Sequence, residues 1–371
     1  MNNFNLLIVD DDESLYPQYK FAIEMVQDEH KDINIFYKTA KTSDLGICAL
    51  NEHEFDAAII DLRLSATEDK NNNGNIIIRE IKNKMKLPVI VLSGFTEDLD
   101  CDLRDTNEFF KVYKRAEKET SEILQELISI YKLGITRIFK NKGLINSYLN
   151  EIFWKYISNN LSNLKNVTSN SEQQEKILLR FVVMHLQQYL DLDDDFSFEN
   201  YHTSEMYIVP PIRKKLFTGD IIINSSEGKY FIVLSPPCDL ATKNIKQITI
   251  VEIEDIKELE QLKILNSKLK KAKTKGNNTE ILEDQINALL SNSSTLKYHF
   301  LPPSYSFKGG FINFQKVHSL LRTEIVDNYD RVASVSDAFI KDIIARFSHY
   351  YSRQGQPSFN NMEDIFKLIT K

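Results

Sequence analysis

Short apolar runs alternate with amphipathic stretches over residues 1–131. The apolar runs predict five strands, at 6–9, 33–37, 57–60, 89–92 and 109–113, and helical periodicity predicts helices at 16–26, 43–51, 76–81 and 121–131. Strands that alternate with helices are typical of a doubly wound parallel sheet, in which ligands bind beyond the carboxyl ends of the strands. We therefore predict an α/β domain and expect its functional residues where strands end.

The pattern changes twice after residue 131. Residues 132–200 keep a helical period and predict an α-helical connector, whereas residues 201–371 predict an α+β domain with a small antiparallel sheet. A stretch rich in Lys, Glu and Leu at 256–290, broken at 275–278, predicts a helical hairpin in that domain. We expect its facing positions to be Ile256, Leu259, Leu262, Leu265 and Leu269 against Ile281, Ile286 and Leu290.

Composition narrows the class of protein. With 371 residues, 42% hydrophobic and 27% charged, the chain is typical of a globular protein with two or three domains, and it lacks an apolar run long enough to cross a membrane. The first residues carry no basic segment, so we expect no secretory signal. Three widely spaced cysteines predict neither a disulfide framework nor a metal-binding pair, and we expect a cytoplasmic protein.

Charge is distributed unevenly along the chain. The formal net charge is −7, yet residues 1–124 hold 15 Lys and Arg against 25 Asp and Glu, which leaves 31 against 28 for the rest. Proteins that bind duplex nucleic acid usually carry a concentrated basic face. A near-neutral remainder, without a short turn followed by a basic recognition helix, makes DNA an unlikely partner.

Polar residues follow four of the five predicted strands. Asp10 and Asp11 follow strand one, Asp61 follows strand three, and Ser93 and Lys114 end strands four and five. Clustered carboxylates are costly without a cation among them, and oxygen ligands suit Mg²⁺. We predict that Asp61, alone at a central strand end, is a nucleophile toward phosphorus, that Asp10 and Asp11 hold the metal, and that Ser93 and Lys114 bind phosphoryl oxygens.

These five positions resemble those of the receiver domain of two-component response regulators, over about residues 4–131. The resemblance implies a flavodoxin-like sheet, phosphotransfer to Asp61 from a histidine kinase, and Mg²⁺ bound partly by the backbone carbonyl of Arg63. The sequence identifies no independent catalytic domain and leaves open whether the phosphoacceptor also has autophosphatase activity. We hypothesise that the Arg63 side chain shields the phosphoryl group from water.

The chain departs from the receiver pattern at three positions. Ser65 stands where the family usually has proline, and Arg115 replaces the proline after the lysine. If Lys114 is the family lysine, the aromatic switch position falls on Lys111. These departures leave the register of strand five open.

Two later segments carry candidate chemistry. Cys238 and Asp239, in the segment Ser-Pro-Pro-Cys-Asp-Leu at 235–240, suit a nucleophile or a ligand, although a tight turn with a small buried thiol is the favoured interpretation. Arg353 lies near a helix end with Arg346 and His349, where capping and packing are favoured over a binding site.

Resemblance of the later segments supports two hypotheses. Residues 219–222 and 230–235 look faintly similar to the start of the barrel in toxin endoribonucleases of the MazF and PemK type. The whole chain looks like the phosphate-buffering receiver proteins of Detocs-type anti-phage defence systems, which implies a kinase partner and a second receiver protein that bears an effector. We therefore predict a phosphate intermediary or buffer. The alternative is a phosphorylation-switched effector whose C-terminal domain binds a protein or cleaves RNA. Helices at 122–192 or 256–290 also suit a homo-oligomer, or packing within one chain.

Overall fold

Five apolar runs of the N-terminal third form parallel strands in the computed structural model of the chain. They are β1 (Asn2–Val9), β2 (Ile33–Ala40), β3 (Ala57–Ile60), β4 (Val89–Ser93) and β5 (Phe110–Lys114). Their order in the sheet is β2-β1-β3-β4-β5. β3 and β4 are buried at every position, which explains why the sequence shows continuous apolar runs there. The predicted doubly wound sheet is confirmed.

The structure describes residues 2–64, 73–165, 170–191, 200–242, 246–353 and 359–370. The chain divides into two units, Met1–Phe198 and Glu199–Lys371. Ser65 lies outside the described residues.

Four helices cover the two faces of the parallel sheet. They are α1 (Tyr16–Glu29), α2 (Ser43–Glu52), α3 (Asn73–Lys84) and α4 (Thr120–Lys132). Residues of α2 and α3 share one buried cluster with Val9 and Ile60, and residues of α1 and α4 share the other with Ile8 and Ile59. Alternate residues of each strand therefore face different helix layers.

The helical segment predicted as a connector belongs to the N-terminal unit. Its helices are α5 (Ile135–Phe139), α6 (Leu144–Ile152), α7 (Leu161–Lys165) and α8 (Ser171–Leu190), with a π-helical turn at Phe153–Ile157. Aromatic contacts join α8 to α6 and to the π turn: the rings of Tyr148 and Tyr189 lie 5.4 Å apart, and those of Tyr156 and His185 lie 4.7 Å apart.

The C-terminal unit contains a seven-stranded antiparallel sheet. Its strands are β6 (Tyr207–Ile208), β7 (Asp220–Asn224), β8 (Lys229–Val233), β9 (Gln247–Glu254), β10 (Tyr298–Leu301), β11 (Gly310–Leu321) and β12 (Tyr329–Val335), in the order β10-β11-β9-β8-β7-β12-β6. Its helices are α9 (Pro237–Ala241), α10 (Glu260–Thr274), α11 (Glu280–Leu290), α12 (Arg322–Asn328), α13 (Asp337–Ser352) and α14 (Met362–Ile369). The antiparallel sheet is confirmed but is larger than the sequence predicts.

The predicted hairpin forms from α10 and α11, but its facing positions differ on the second helix. Leu282, Ile286 and Leu289 pack toward α10, whereas Ile281 is 74% exposed. The hairpin also covers Phe311 on β11, which is fully buried in the same cluster. Packing against the sheet therefore rotates α11 from the orientation that a helix pair alone would favour.

One histidine in this unit is buried without charge. The ring Nε2 of His299 lies 3.4 Å from the side-chain amide of Asn292, and Nδ1 lies 3.6 Å from a carboxylate oxygen of Asp342. Burial, reinforced by the charge of Arg346, lowers the pKa of His299 from 6.5 to about 3. The folded chain therefore holds this ring neutral at neutral and mildly acidic pH.

We expect His299 to make stability depend on pH. Between about pH 6.5 and 3 the unfolded state binds a proton that the folded state does not, so the free energy of unfolding falls as pH falls, by up to about 1.4 kcal/mol per unit. Urea titrations over this range should show a smaller slope for His299→Gln. The exposed His349, changed to Gln, is the matched control. Equal slopes for wild type and His299→Gln would contradict a buried neutral ring.

Candidate functional site

Three carboxylates meet at the carboxyl edge of the parallel sheet. Asp10 and Asp11 follow β1 and Asp61 follows β3, and a backbone hydrogen bond of 2.8 Å from Asp61 to Val9 fixes the two strand ends together. One oxygen from each of the three side chains lies within 4.8 Å of the others. Asp10 is fully buried and Asp61 is 7% exposed. The structure thus brings together the three acidic residues named from the sequence.

Arg115, not Lys114, supplies the cation beside them. Its Nη2 lies 2.8 Å from Oδ2 of Asp10 and 2.5 Å from Oδ2 of Asp61. Lys114 is exposed at the end of β5, and its backbone N–H donates to the carboxylate of Glu117. The sequence predicts Lys114 as the cation of the site, whereas the residue in contact with the carboxylates is the next one, Arg115.

Strand alternation explains this difference. Tyr113 packs in the cluster of α1 and α4, on the face of the sheet that Ile8 and Ile59 also share. Arg115 is two residues beyond Tyr113, as Asp10 and Asp61 are two residues beyond Ile8 and Ile59, so all three extend from the same face. The packing of Tyr113 in this cluster fixes the register at the end of β5.

Burial and hydrogen bonds act on the carboxylate of Asp10. Burial raises the pKa of Asp10, although the backbone N–H of Asp12 and the charge of Arg115 oppose that rise. Tyr19 donates a hydrogen bond of 2.9 Å to Oδ2 of Asp10. Arg115 contacts Asp10 and Asp61, and the three carboxylates together form a set of oxygen donors. These donors fit a divalent cation such as Mg²⁺.

Asp61 is accessible from one side. It lies on an open cleft of about 480 Å³. The cleft is lined by Asp11, Asp12, Asp61, Arg63, Gly94, Phe95 and Arg115. A phosphoryl group that enters this cleft meets a carboxylate and a guanidinium at its floor.

Arg63 and Ser93 are both held by neighbours at this edge. The Arg63 guanidinium stacks over Phe95, 3.2 Å from the ring centroid, and its Nε lies 2.5 Å from a carboxylate oxygen of Asp98. Ser93 is buried, and its Oγ accepts a hydrogen bond of 3.2 Å from the backbone N–H of Phe95. Phe95 and Asp98 were not found by sequence reasoning, because neither residue type is diagnostic of a site.

Lys111 on β5 is a paired lysine. Lys111 forms ion pairs with Glu108 at 2.9 Å and with Glu126 at 3.4 Å. The hydroxyl of the adjacent Tyr113 donates to the carboxylate of Glu126 at 3.1 Å. The face of β5 that packs against α4 is therefore held to that helix by an ion pair and a hydrogen bond.

The C-terminal candidates do not form a comparable cluster. Cys238 is exposed rather than buried as expected, and its thiol lies 3.6 Å from the carboxylate of Asp239 in the first turn of α9. Arg353 stacks over the ring of Tyr350 at 4.4 Å and donates to its backbone carbonyl at the end of α13. Within the described part of the chain, the three aspartates form the one group with metal-binding geometry.

A second cavity, of about 460 Å³, lies in the C-terminal unit. Four cations line it, Lys214, Lys215, Arg322 and Arg331, together with apolar residues of α9 and α12. Two of the four are engaged within the fold, because Arg322 donates to the carbonyl of Leu240 and Arg331 pairs with Asp220. Sequence analysis missed this cavity, whose lining comes from distant segments.

The order of the parallel strands, β2-β1-β3-β4-β5, decides the fold. The N-terminal third has a flavodoxin-like fold, whose 2-1-3-4-5 strand order receiver domains share. No family model and no curated protein matches the chain. In the described residues, every helix is too short or too polar to span a membrane.

Solved receiver domains align with this N-terminal third. A CheY-like receiver domain from Methylobacillus flagellatus is 20% identical, with 34% of this chain and 99% of that chain covered and a TM-score of 0.27. A receiver domain protein from Clostridium thermocellum is 20% identical, with coverages of 35% and 98% and a TM-score of 0.27. The receiver domain of NtrX from Brucella abortus is 20% identical, with coverages of 35% and 97% and a TM-score of 0.26.

Proposed function

We propose that the N-terminal unit accepts a phosphoryl group on Asp61 from a histidine kinase. The observation that carries this proposal is the position of Asp61, which belongs to a group of three carboxylates and also lies on an open cleft. A carboxylate oxygen in such a place can attack phosphorus and form an aspartyl phosphate. Asp10, Asp11 and the backbone carbonyl of Arg63 would hold Mg²⁺ together with Asp61.

The transfer is a displacement at phosphorus. An oxygen of Asp61 forms the new bond to phosphorus while the bond to the kinase histidine nitrogen breaks, and that nitrogen keeps the electron pair. Arg115, 2.5 Å from Oδ2 of Asp61, places its positive charge where phosphoryl oxygens arrive. Bound Mg²⁺ supplies further neutralisation of the charge on those oxygens.

We expect the full chain to become labelled when it is mixed with its cognate kinase that carries ³²P on histidine. Asp61→Asn should lose the label, because an amide is not a nucleophile toward phosphorus. Asp12→Asn is the matched control. Asp12 lines the same cleft but does not belong to the three-carboxylate group, and its side chain accepts hydrogen bonds from Ser14. An unlabelled wild type, or equal label on Asp61→Asn, would refute the proposal.

We further propose that the phosphoryl group is held or passed on, in a signalling or anti-phage defence pathway. The contacts of Lys111 and Tyr113 with Glu126 on α4 favour storage over the usual switching of the β5 face. After removal of the kinase, the label should remain on Asp61 or move to a second receiver protein that bears an effector. RNA cleavage or DNA binding that appears only on phosphorylation would instead favour a switched effector.

A further inference from the structure

Helix α8 has one apolar face that packs within its own chain. Phe181, His185 and Tyr189 lie on this face, and the ring of His185 is 4.0 Å from that of Phe181 and 4.7 Å from that of Tyr156. Tyr189 contacts Tyr148 on α6. Even so, none of the 20 residues of α8 is buried. The contacts within the chain therefore cover one side of the helix only.

A second apolar stripe runs along the uncovered side. Leu179, Val183 and Leu190 are 65%, 56% and 58% exposed. Leu186, at the edge of the stripe, is half-buried. At 100° per residue the stripe lies roughly 130° around the helix from the packed face. The successive spacings of four, three and four residues are those of a coiled-coil seam, with Val183 and Leu190 at a positions and Leu179 and Leu186 at d positions.

Charges beside the stripe match a second copy of the same helix. In this heptad assignment Glu175 is a g position and Arg180 is the e position five residues later. In a parallel, in-register pair of helices, each g residue lies next to the following e residue of the partner. Glu175 of one copy would therefore meet Arg180 of the other, twice by symmetry. Within the described residues neither side chain forms a salt bridge, so both are available.

We infer that the Leu179, Val183, Leu186 and Leu190 stripe of α8 binds the same stripe of a second copy as a parallel two-stranded coiled coil. Lys176, at the a position before Leu179, favours two strands and a single register at some cost in stability. The seam from Lys176 to Leu190 covers about two heptads, roughly 22 Å, so the pairing is weak. Dimerisation should therefore depend on protein concentration. This inference does not require phosphorylation of Asp61.

Light scattering on the full chain after size exclusion tests the dimer. As concentration rises we expect the mass to increase from 43.1 kDa toward about twice that value. Val183→Glu should hold the protein at the monomer mass, whereas Met184→Glu should not, because Met184 is 60% exposed but lies off the stripe. Both positions are exposed, so far-UV circular dichroism should match wild type. A wild type that stays monomeric, or equal effects of the two changes, would overturn the inference.

Charge reversal tests the register. Glu175→Arg alone or Arg180→Glu alone places like charges across the seam, and each should raise the concentration needed for dimerisation. The double variant restores opposite charges and should return that concentration to the wild-type range. A double variant no better than the single variants would overturn the parallel arrangement.

A cysteine at the seam tests the orientation directly. In a chain whose three exposed cysteines are changed to serine, Val183→Cys should form a disulfide between two copies, because equivalent a positions face each other in a parallel pair. Met184→Cys, on the opposite side of the helix from the seam, should not. Absence of the Val183→Cys crosslink would overturn the inference.

Discussion

Replacing Arg115 with alanine is expected to lower the free energy of unfolding by about 2–4 kcal/mol when Mg²⁺ is removed with EDTA. Removing one partner of a buried ion pair usually costs about 3–5 kcal/mol, because a buried charge remains uncompensated. The side chains of Asp10 and Asp61 are only 1% and 9% exposed. The Arg115 side chain is 27% exposed, which reduces the expected loss of stability. Asp10 and Asp61, which both contact Arg115, would then repel each other.

Added Mg²⁺ should recover most of this loss. A divalent cation restores positive charge among Asp10, Asp11 and Asp61, so binding to the folded state stabilises the variant more than it stabilises wild type. Urea unfolding with EDTA and with Mg²⁺ measures the difference. Arg115→Lys is the matched control and should keep much of the stability. An equal loss in EDTA and in Mg²⁺ would contradict the proposed balance of charge.

Replacing Asp220 with alanine is expected to destabilise the C-terminal unit by about 3–4 kcal/mol. Asp220 is 1% exposed and accepts hydrogen bonds from the backbone of Phe217 at 2.7 Å and from the hydroxyl of Ser334 at 2.5 Å. Its Oδ2 also lies 2.9 Å from Nε of Arg331. The substitution therefore leaves a largely buried guanidinium and two donors without their partner.

Urea unfolding followed by far-UV circular dichroism measures this loss. Asp330→Ala is the control, because Asp330 precedes Arg331 on the same strand but is exposed and accepts a hydrogen bond from Ser225. That change should cost less than about 1 kcal/mol. Equal losses for Asp220→Ala and Asp330→Ala would show that the buried network contributes little.

The parallel sheet and its acidic residues were predictable because both depend on local sequence. Strands buried on two faces appear as continuous apolar runs, and Asp10 and Asp61 directly follow such runs. Lys114 and Arg115 were harder to separate, because both are cations at the end of one strand. The alternation from Tyr113 to Arg115 decides between them, and it becomes visible only when the packed face of β5 is known.

The C-terminal unit was less predictable because its packing depends on residues far apart in the chain. β12 begins with Tyr329, Asp330 and Arg331, a polar start that hides a strand between β7 and β6. The orientation of α11 is decided by Phe311, which follows the helix by more than twenty residues. Neither contact leaves a periodic signal in the local sequence.

The most direct test of phosphoacceptance is borohydride reduction of the chain after transfer from its kinase, followed by peptide mass mapping. Reduction converts an aspartyl phosphate to homoserine and leaves free aspartate unchanged, so the product records which carboxylate carried phosphorus. We expect homoserine at residue 61 and unmodified aspartate at residues 10, 11 and 12. Homoserine at another position, or at none in a chain that carries label, would contradict the assignment of Asp61 as the phosphoryl acceptor.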